Sequence, residues 1–466
     1  MTGEGDDAGE PTSTPHTTPH VSPVEPDDAR ERPPAPRTDL TPIVAAVESA
    51  DADAFVAVGD HFDDDLRYLT RFSGPDRDFA VVVVPATANH EEPRAILLAP
   101  ALFTEQAERE FVAGARTDAD GDGGDAASST PPEFHDGVDR EIRMRNVGNP
   151  AGERAADAVT DLVGADADLL VPQGIPHDAA VFLETPGHTV ASTPAVAEAR
   201  TRKTPVELDC LRFVQRATAR GMARAETVLA ESEVDRQGDL DGNGEAVDES
   251  ESNTTTPLHW NGTPLTTERL RRQVNATLAA HGVRDAGNTV VGAGPSAADL
   301  HYTGVSPIHA GDTVLLDVSP RGPHGYYGDM TRTFVVDGDG GWGRRAYVAC
   351  EAAREAALAE IEPGVTAGTV HTEAAAEIGA YGFEMNADEG EAGFTHGTGH
   401  GVGVSLHEAP SLSGDAELQP GHVVTVEPGV YDPERGGVRL EDLVVVTEDG
   451  YEILATYPFG LVPESR

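Results

Sequence analysis

The sequence predicts an α+β protein of two unequal domains, a smaller α/β unit followed by a larger one built from strands, glycine loops and helices. Three observations carry that expectation. A chain of 466 residues is too long for one ordinary core. From near Leu40 to about residue 200 short apolar runs alternate with helical segments. From about Thr289 onward the pattern changes to strands and glycine-rich loops around two helices, Arg344 to Ile361 and Val370 to Gly379.

Residues 1–36 are rich in Pro, Thr, Asp and Glu and nearly free of aliphatics, so a disordered tail is expected there. Residues 37–200 form the first domain, with buried strands at Ala54 to Val58, Phe79 to Val84, Ala95 to Leu98 and Leu169 to Val171. An acidic, glycine-rich insertion interrupts it at about 117–137. The second domain, 201–466, opens on a helix with strong N-terminal signals at Thr204-Pro205-Val206-Glu207 and carries a second acidic insertion at about 231–256. Both insertions echo the start of an EF-hand loop, at Asp118, Asp120 and Asp122 and at Asp239, Asp241 and Asn243. Each places a serine, Ser129 or Ser250, where the bidentate acid belongs, so solvated loops without calcium are expected.

Formal charge is −48, from 33 basic and 81 acidic residues, and Lys203 is the single lysine. Such an acid excess argues against nucleic acid and anionic membrane as partners and fits a very salty cytoplasm, where counterions screen the self-repulsion. Cys210 and Cys350 are too few and too far apart for a disulfide framework or a thiolate metal site. With no basic-then-apolar leader and no apolar run of about 18 residues, a soluble cytoplasmic protein is expected.

The chemistry concentrates in the last third. Asp317 closes the apolar run Thr313 to Leu316, and Asp329 leads into Met330 to Val336, a hairpin with an acid on each arm. Glu427 ends Val423 to Val426, Glu441 opens the strand Asp442 to Val446, and His400 lies in the glycine loop His396 to Gly403. Unpaired carboxylates in buried strands cost several kcal/mol each, so as a set they call for a cation. Four oxygen donors and one imidazole suit a pair of divalent ions such as Mn, Co, Fe or Zn, unlike a closed structural zinc. Ions about 3.5 to 4 Å apart can hold a hydroxide and present it to a carbonyl, so metal-assisted hydrolysis is the chemistry implied. His301, His396, His407 and Arg439 surround the ligands with groups that a polarised amide needs. The loop around His400 lacks the Lys-Ser/Thr of a phosphate cradle.

At these residues the chain resembles the metallopeptidase family of methionine aminopeptidases, Xaa-Pro aminopeptidases and prolidases. The motifs are Asp317 to Phe334, ending in Gly-Asp-Met-Thr-Arg-Thr-Phe, the His396 to Gly403 loop, Thr425 to Gly429 and Gly437 to Asp442. The resemblance implies a pita-bread catalytic domain. In it Asp317 would chelate one ion, Asp329 and Glu441 would bridge both, and His400 and Glu427 would hold the other. It further implies catalytic roles for His301, His407 and Glu427, with proton relay at Glu427, and substrate binding by His301, His396, His407 and Arg439. Gly437 to Asp442 with its arginine is similar to the proline-specific branch, and Leu66 to Gly74 resembles the creatinase-type N-terminal domain of that branch. The expected protein is a dinuclear exopeptidase, with manganese foremost, that cleaves short peptides before proline and works as a homodimer. The turn Arg321 to Tyr327 is a residue longer than the family implies. Relatives include creatinase, a metal-retaining sulfonium lyase and catalytically silent binding modules. Intact ligand positions disfavour metal-free chemistry and a silent module and leave the lyase open.

Overall fold

The computed structural model describes residues 32–87, 90–113, 136–144, 148–234, 256–338, 341–388 and 390–466. Most of the expected tail, both acidic insertions except their edges, and both calcium-loop echoes lie outside the described residues. Residues 32–36 carry no helix or strand. They are nevertheless seated on the protein, since His324 Nε2 donates to the Pro33 carbonyl at 2.9 Å.

The first part runs α1 (Thr41–Ser49), β1 (Ala54–Gly59), α2 (Asp64–Thr70), β2 (Phe79–Val84), β3 (Arg94–Leu98), α3 (Thr104–Ala107), β4 (Asp139–Ile142), α4 (Ala151–Val163), β5 (Asp168–Pro172), α5 (His177–Glu184), β6 (Thr189–Thr193) and α6 (Ala195–Thr201). Its strands form one mixed sheet in the order β4-β3-β2-β1-β5-β6. β1 and β2 read as continuous apolar runs because both sheet faces are covered. Phe55, Ala57, Val81 and Val83 share a core with Ile43 and Val47 of α1. Their alternate neighbours Ala54, Val56, Val58, Ala80 and Val82 share another with Ala155, Ala158 and Val159 of α4. Period-two alternation thus feeds two cores from one strand.

The second part opens on α7 (Pro205–Ala230), where Thr204 and Glu207 form a reciprocal capping box and Pro205 takes the first turn. A small sheet of β7 (Glu233–Val234), β8 (Leu258–Trp260) and β9 (Thr263–Pro264) and helix α8 (Thr267–Ala280) follow. Next come the antiparallel strands β10 (Thr289–Ala293), β11 (Thr313–Val318) and β12 (Thr331–Val335), then α9 (Gly341–Ala359) and α10 (Ala367–Ala380). Both helices begin a few residues before the predicted starts, because Gly341, Gly343 and Gly368 have low helix propensity, although Ala367 lies in the core and Trp342 packs against it. The chain closes with β13 (Val423–Val426), β14 (Gly429–Asp432), β15 (Gly436–Arg439), β16 (Asp442–Thr447) and β17 (Gly450–Ile453). β13, β16 and β17 form one sheet, and β14 and β15 form a separate hairpin. The long turn between β11 and β12 leaves their register intact, pairing Leu316 with Arg332 and Asp317 with Thr331. Arg321 Nε donates back to the Gly325 carbonyl at 2.8 Å and closes that turn. No described helix is long and apolar enough to cross a membrane.

Candidate active site

The strand ends converge. Asp317 sits near the end of β11, Asp329 two residues before β12, Glu441 between β15 and β16, and Glu427 just past β13. Carboxylate oxygens of Asp317, Asp329 and Glu441 all lie within 4.8 Å of one another. His400 Nε2 stands 3.4 Å from Glu427 Oε1 and 3.9 Å from Asp329 Oδ2. All five line one cavity of about 500 Å³.

Neighbouring hydroxyls and amides hold these groups in place. Ser319 Oγ lies between the two acids, 3.1 Å from Asp317 Oδ1 and 2.9 Å from Asp329 Oδ1, with its one hydrogen shared between these acceptors. Thr331 Oγ1 donates to Glu441 Oε2 at 2.6 Å, and Thr425 Oγ1 to Glu427 Oε1 at 3.2 Å. Gln215 on α7 grips the Asp329 backbone from both sides, accepting its N–H at 2.9 Å and donating to its carbonyl at 2.6 Å. The glycine loop must lie flat on β13 to bring His400 in. A Cβ at Gly399 would fall 2.0 Å from the Thr425 carbonyl oxygen, so only glycine permits that approach.

Four carboxylates face one guanidinium here. Arg439 Nη2 pairs with Asp317 Oδ2 at 2.6 Å, and its Nε lies 3.7 Å from Glu427 Oε2. Asp329 and Glu441 are only 4% and 1% exposed. Burial, followed by the charge of Asp317 and Glu427, pushes the Asp329 carboxyl well above the usual carboxylate range. Burial and Asp329 do the same to Glu441. Burial raises Glu427 to about 7, with Arg439 opposing. So much buried negative charge with so little compensation fits divalent cations, and four carboxylates with one imidazole are the donors such cations take. Burial, then His407, lowers His400 to about 4, and burial with Arg439 lowers His396 to about 3. Both imidazoles are therefore neutral near pH 7, as a metal ligand must be.

The remaining predicted residues divide by depth. His407, exposed at the cavity mouth, stacks edge to face on His400 with ring centroids 4.2 Å apart. His396 Nε2 is paired with the Tyr431 hydroxyl at 2.8 Å. His301 lines the same cavity from an exposed position and touches none of the acids. Sequence reasoning missed Ser319, Thr331, Gln215 and Tyr431. Ser319 lies two residues past Asp317, and so on the same strand face, a signal that was available. Tyr431 also accepts from Arg439 Nη1 at 2.9 Å, which ties the arginine to His396. Gln215 lies on a distant helix and left no sequence signal.

A model of metallopeptidase family M24 matches residues 209–448, more than half of the chain. The chain belongs to metallopeptidase family M24. A probable dipeptidase PepE from Mycobacterium tuberculosis is 35% identical over 190 residues, covering 40% of this chain and 48% of that protein. An Xaa-Pro dipeptidase from Pyrococcus furiosus is 39% identical over 145 residues, covering 31% of this chain and 39% of that one. The chain spans about half the length of the curated relatives it matches. Among solved structures, the prolidase from Pyrococcus horikoshii superposes with a TM-score of 0.67 at 19% identity, covering 91% of this chain and 99% of that one. Dipeptidase PepE from Mycobacterium ulcerans gives 0.65 at 25% identity, covering 91% and 96%. The family and these neighbours make the fold the expected pita-bread one, preceded by the mixed sheet.

Proposed function

We propose that this M24 chain is a metal-dependent exopeptidase that hydrolyses the bond before proline in short peptides. The single observation that carries the reading is the buried cluster of Asp317, Asp329 and Glu441, with His400 and Glu427 on the same cavity wall. Asp317, Asp329, His400, Glu427 and Glu441 would hold a pair of divalent ions, with manganese foremost and cobalt, iron or zinc as the alternatives. Two such ions would polarise the scissile carbonyl and lower the pKa of an attacking water.

The protein's own groups supply the rest. His407, neutral and beside His400, donates an N–H to the oxygen on which charge develops. Glu427 relays the proton to the departing amine. His301 and His396 hold the peptide from the mouth and the wall of the cavity. Arg439 fixes the Asp317 carboxylate and the Tyr431 hydroxyl at once, and it supports the proline-specific branch. Residues 37–200 are read as the creatinase-like domain, 201–466 as the catalytic one, and the working species as a cytoplasmic homodimer. A turnover assay in multimolar KCl, comparing Xaa-Pro with Xaa-Pro-Yaa with and without Mn²⁺ or Co²⁺, tests the reading. Metal-dependent release of the first residue is the expected result. Protein that holds two metal equivalents and cleaves neither peptide would sink it.

A further inference from the structure

His407 is carried by a stretch, Gly403 to Glu408, that belongs to no helix or strand. A donor to a developing oxyanion has to be held to within a fraction of an ångström, so something must fix this loop. The backbone supplies part of the answer. Glu408 N donates to the Gly401 carbonyl at 2.7 Å, and Tyr327 N to the Gly403 carbonyl at 2.9 Å. The larger part is ionic and comes from the segment that joins the first sheet to α7.

The Glu408 side chain is only 5% exposed and is bound on both oxygens. Oε1 accepts from Arg200 Nε at 3.1 Å, Arg200 Nη2 at 2.5 Å and Ser405 N at 3.0 Å. Oε2 accepts from Lys203 Nζ at 2.7 Å. Beyond this pair, Arg200 Nη1 donates to Asp65 Oδ1 at 2.6 Å, and Asp64 takes Arg321 Nη2 on one oxygen and Ser405 Oγ on the other, each at 2.6 Å. The N-terminus of α2, the β11–β12 turn and the His407 loop are thereby sewn into one partly buried network. Burial alone would raise Glu408, but Lys203 and Arg200 overcome it and bring the carboxyl down to about 2.

Lys203 is the only lysine among 33 basic residues. Its side chain is 2% exposed. Nζ donates to the Arg200 carbonyl at 2.7 Å, the Thr201 carbonyl at 3.3 Å and Glu408 Oε2 at 2.7 Å, so its three hydrogens are all used. These acceptors close around a compact ammonium. A guanidinium is longer and planar, and its fixed fork of donors matches three acceptors around one point less well.

We propose that Lys203 and Glu408 are positioning residues for the hydrolysis, acting through the loop backbone to hold His407 against His400. The proposal rests on reading His407 as the oxyanion donor. It gives the segment between the first sheet and α7 a part in the reaction.

The test uses full-length, metal-loaded protein with Lys203→Met, Lys203→Arg and Glu408→Gln, assayed well below each variant's melting temperature. For Lys203→Met and Glu408→Gln, kcat falls about ten- to a hundredfold while KM and bound metal stay at wild-type values. Lys203→Arg, which restores charge without the convergent geometry, regains melting temperature and leaves kcat low. Histidine-selective ¹⁵N spectra supply a readout independent of turnover, with the His407 signal identified by its loss in His407→Gln. In Lys203→Met that signal broadens or splits while the His301 signal is unchanged. Wild-type kcat in the folded variants, an undisturbed His407 signal, or a parallel fall of kcat and metal content would each overturn the proposal. If the wild type cleaves no proline peptide, the functional reading fails, and the spectra still decide whether Lys203 positions His407.

Discussion

At Asp329 and Glu441 a carboxylate is almost wholly withdrawn from solvent. Their charge is tolerable only against a cation, and each faces acids on two sides. Asp329→Asn or Glu441→Gln removes that charge and leaves a neutral amide, which bridges two cations poorly. The expected outcome is loss of hydrolysis together with at least one metal equivalent, read by elemental analysis of dialysed protein. Two retained ions and near-normal rates in both variants would remove the dinuclear assignment. His407 differs in kind, because it stacks on the proposed ligand His400 and reaches none of the carboxylates directly. His407→Ala therefore spares the metals and lowers kcat by about 10² to 10³, the usual cost of one lost donor to a developing oxyanion. A fall in metal content alongside kcat would make His407 a ligand and put His400 in question.

At the scale of elements, two buried ion networks bring the strands into contact. Asp442, the first residue of β16, is paired with Arg332 on β12 at 2.8 Å and with Arg354 on α9, and all three side chains are less than a tenth exposed. Arg332 Nη1 also donates to the Glu441 carbonyl at 2.6 Å, so this network fixes the backbone that presents a proposed bridging acid. Asp442→Ala strands two buried guanidinium groups and is expected to cost about 3 to 5 kcal/mol in denaturant unfolding. A loss under about 1 kcal/mol would show that water reaches the arginines. The second network, around Glu408, gives an acid dependence of known sign. Its carboxyl is held near 2 in the folded protein against an ordinary 4.5. The stability it contributes is complete above the ordinary value and lost as pH falls from there toward 2. Melting temperature should drop across that window, and Glu408→Gln should make the drop shallower. An identical profile in the variant would show that other acids set it.

For the whole molecule the governing quantity is a formal charge of −48. Self-repulsion in the compact state is suppressed by the ~3 Å screening length of 1 M salt and much less by the ~10 Å length of 0.1 M. Activity and far-UV circular dichroism are expected to decay as KCl is lowered between those limits. Added divalent metal should offset part of the loss, because an ion that binds only the native state stabilises it by mass action. Flat signals across the range in the presence of a chelator would contradict this account.

Four strands of the mixed sheet, the capped start of α7 and the order of the five proposed ligands were legible because each has a local cause, whereas β4 and β6 bury no apolar run and were missed. Apolar alternation, Thr204 with Glu207, and acids closing apolar strands are patterns within a few residues of chain. The likeness of those motifs to a known family did the rest. Ser319 could have been found by the same strand arithmetic that placed Asp317. Gln215, Tyr431 and Lys203 could not, since their partners Asp329, His396 and Glu408 belong to segments that meet only after folding. The sequence by itself determined which groups carry charge and which strands present them. Only the tertiary structure decided which charges are buried together and what holds them, because burial and hydrogen bonding are set by packing between elements far apart in the chain.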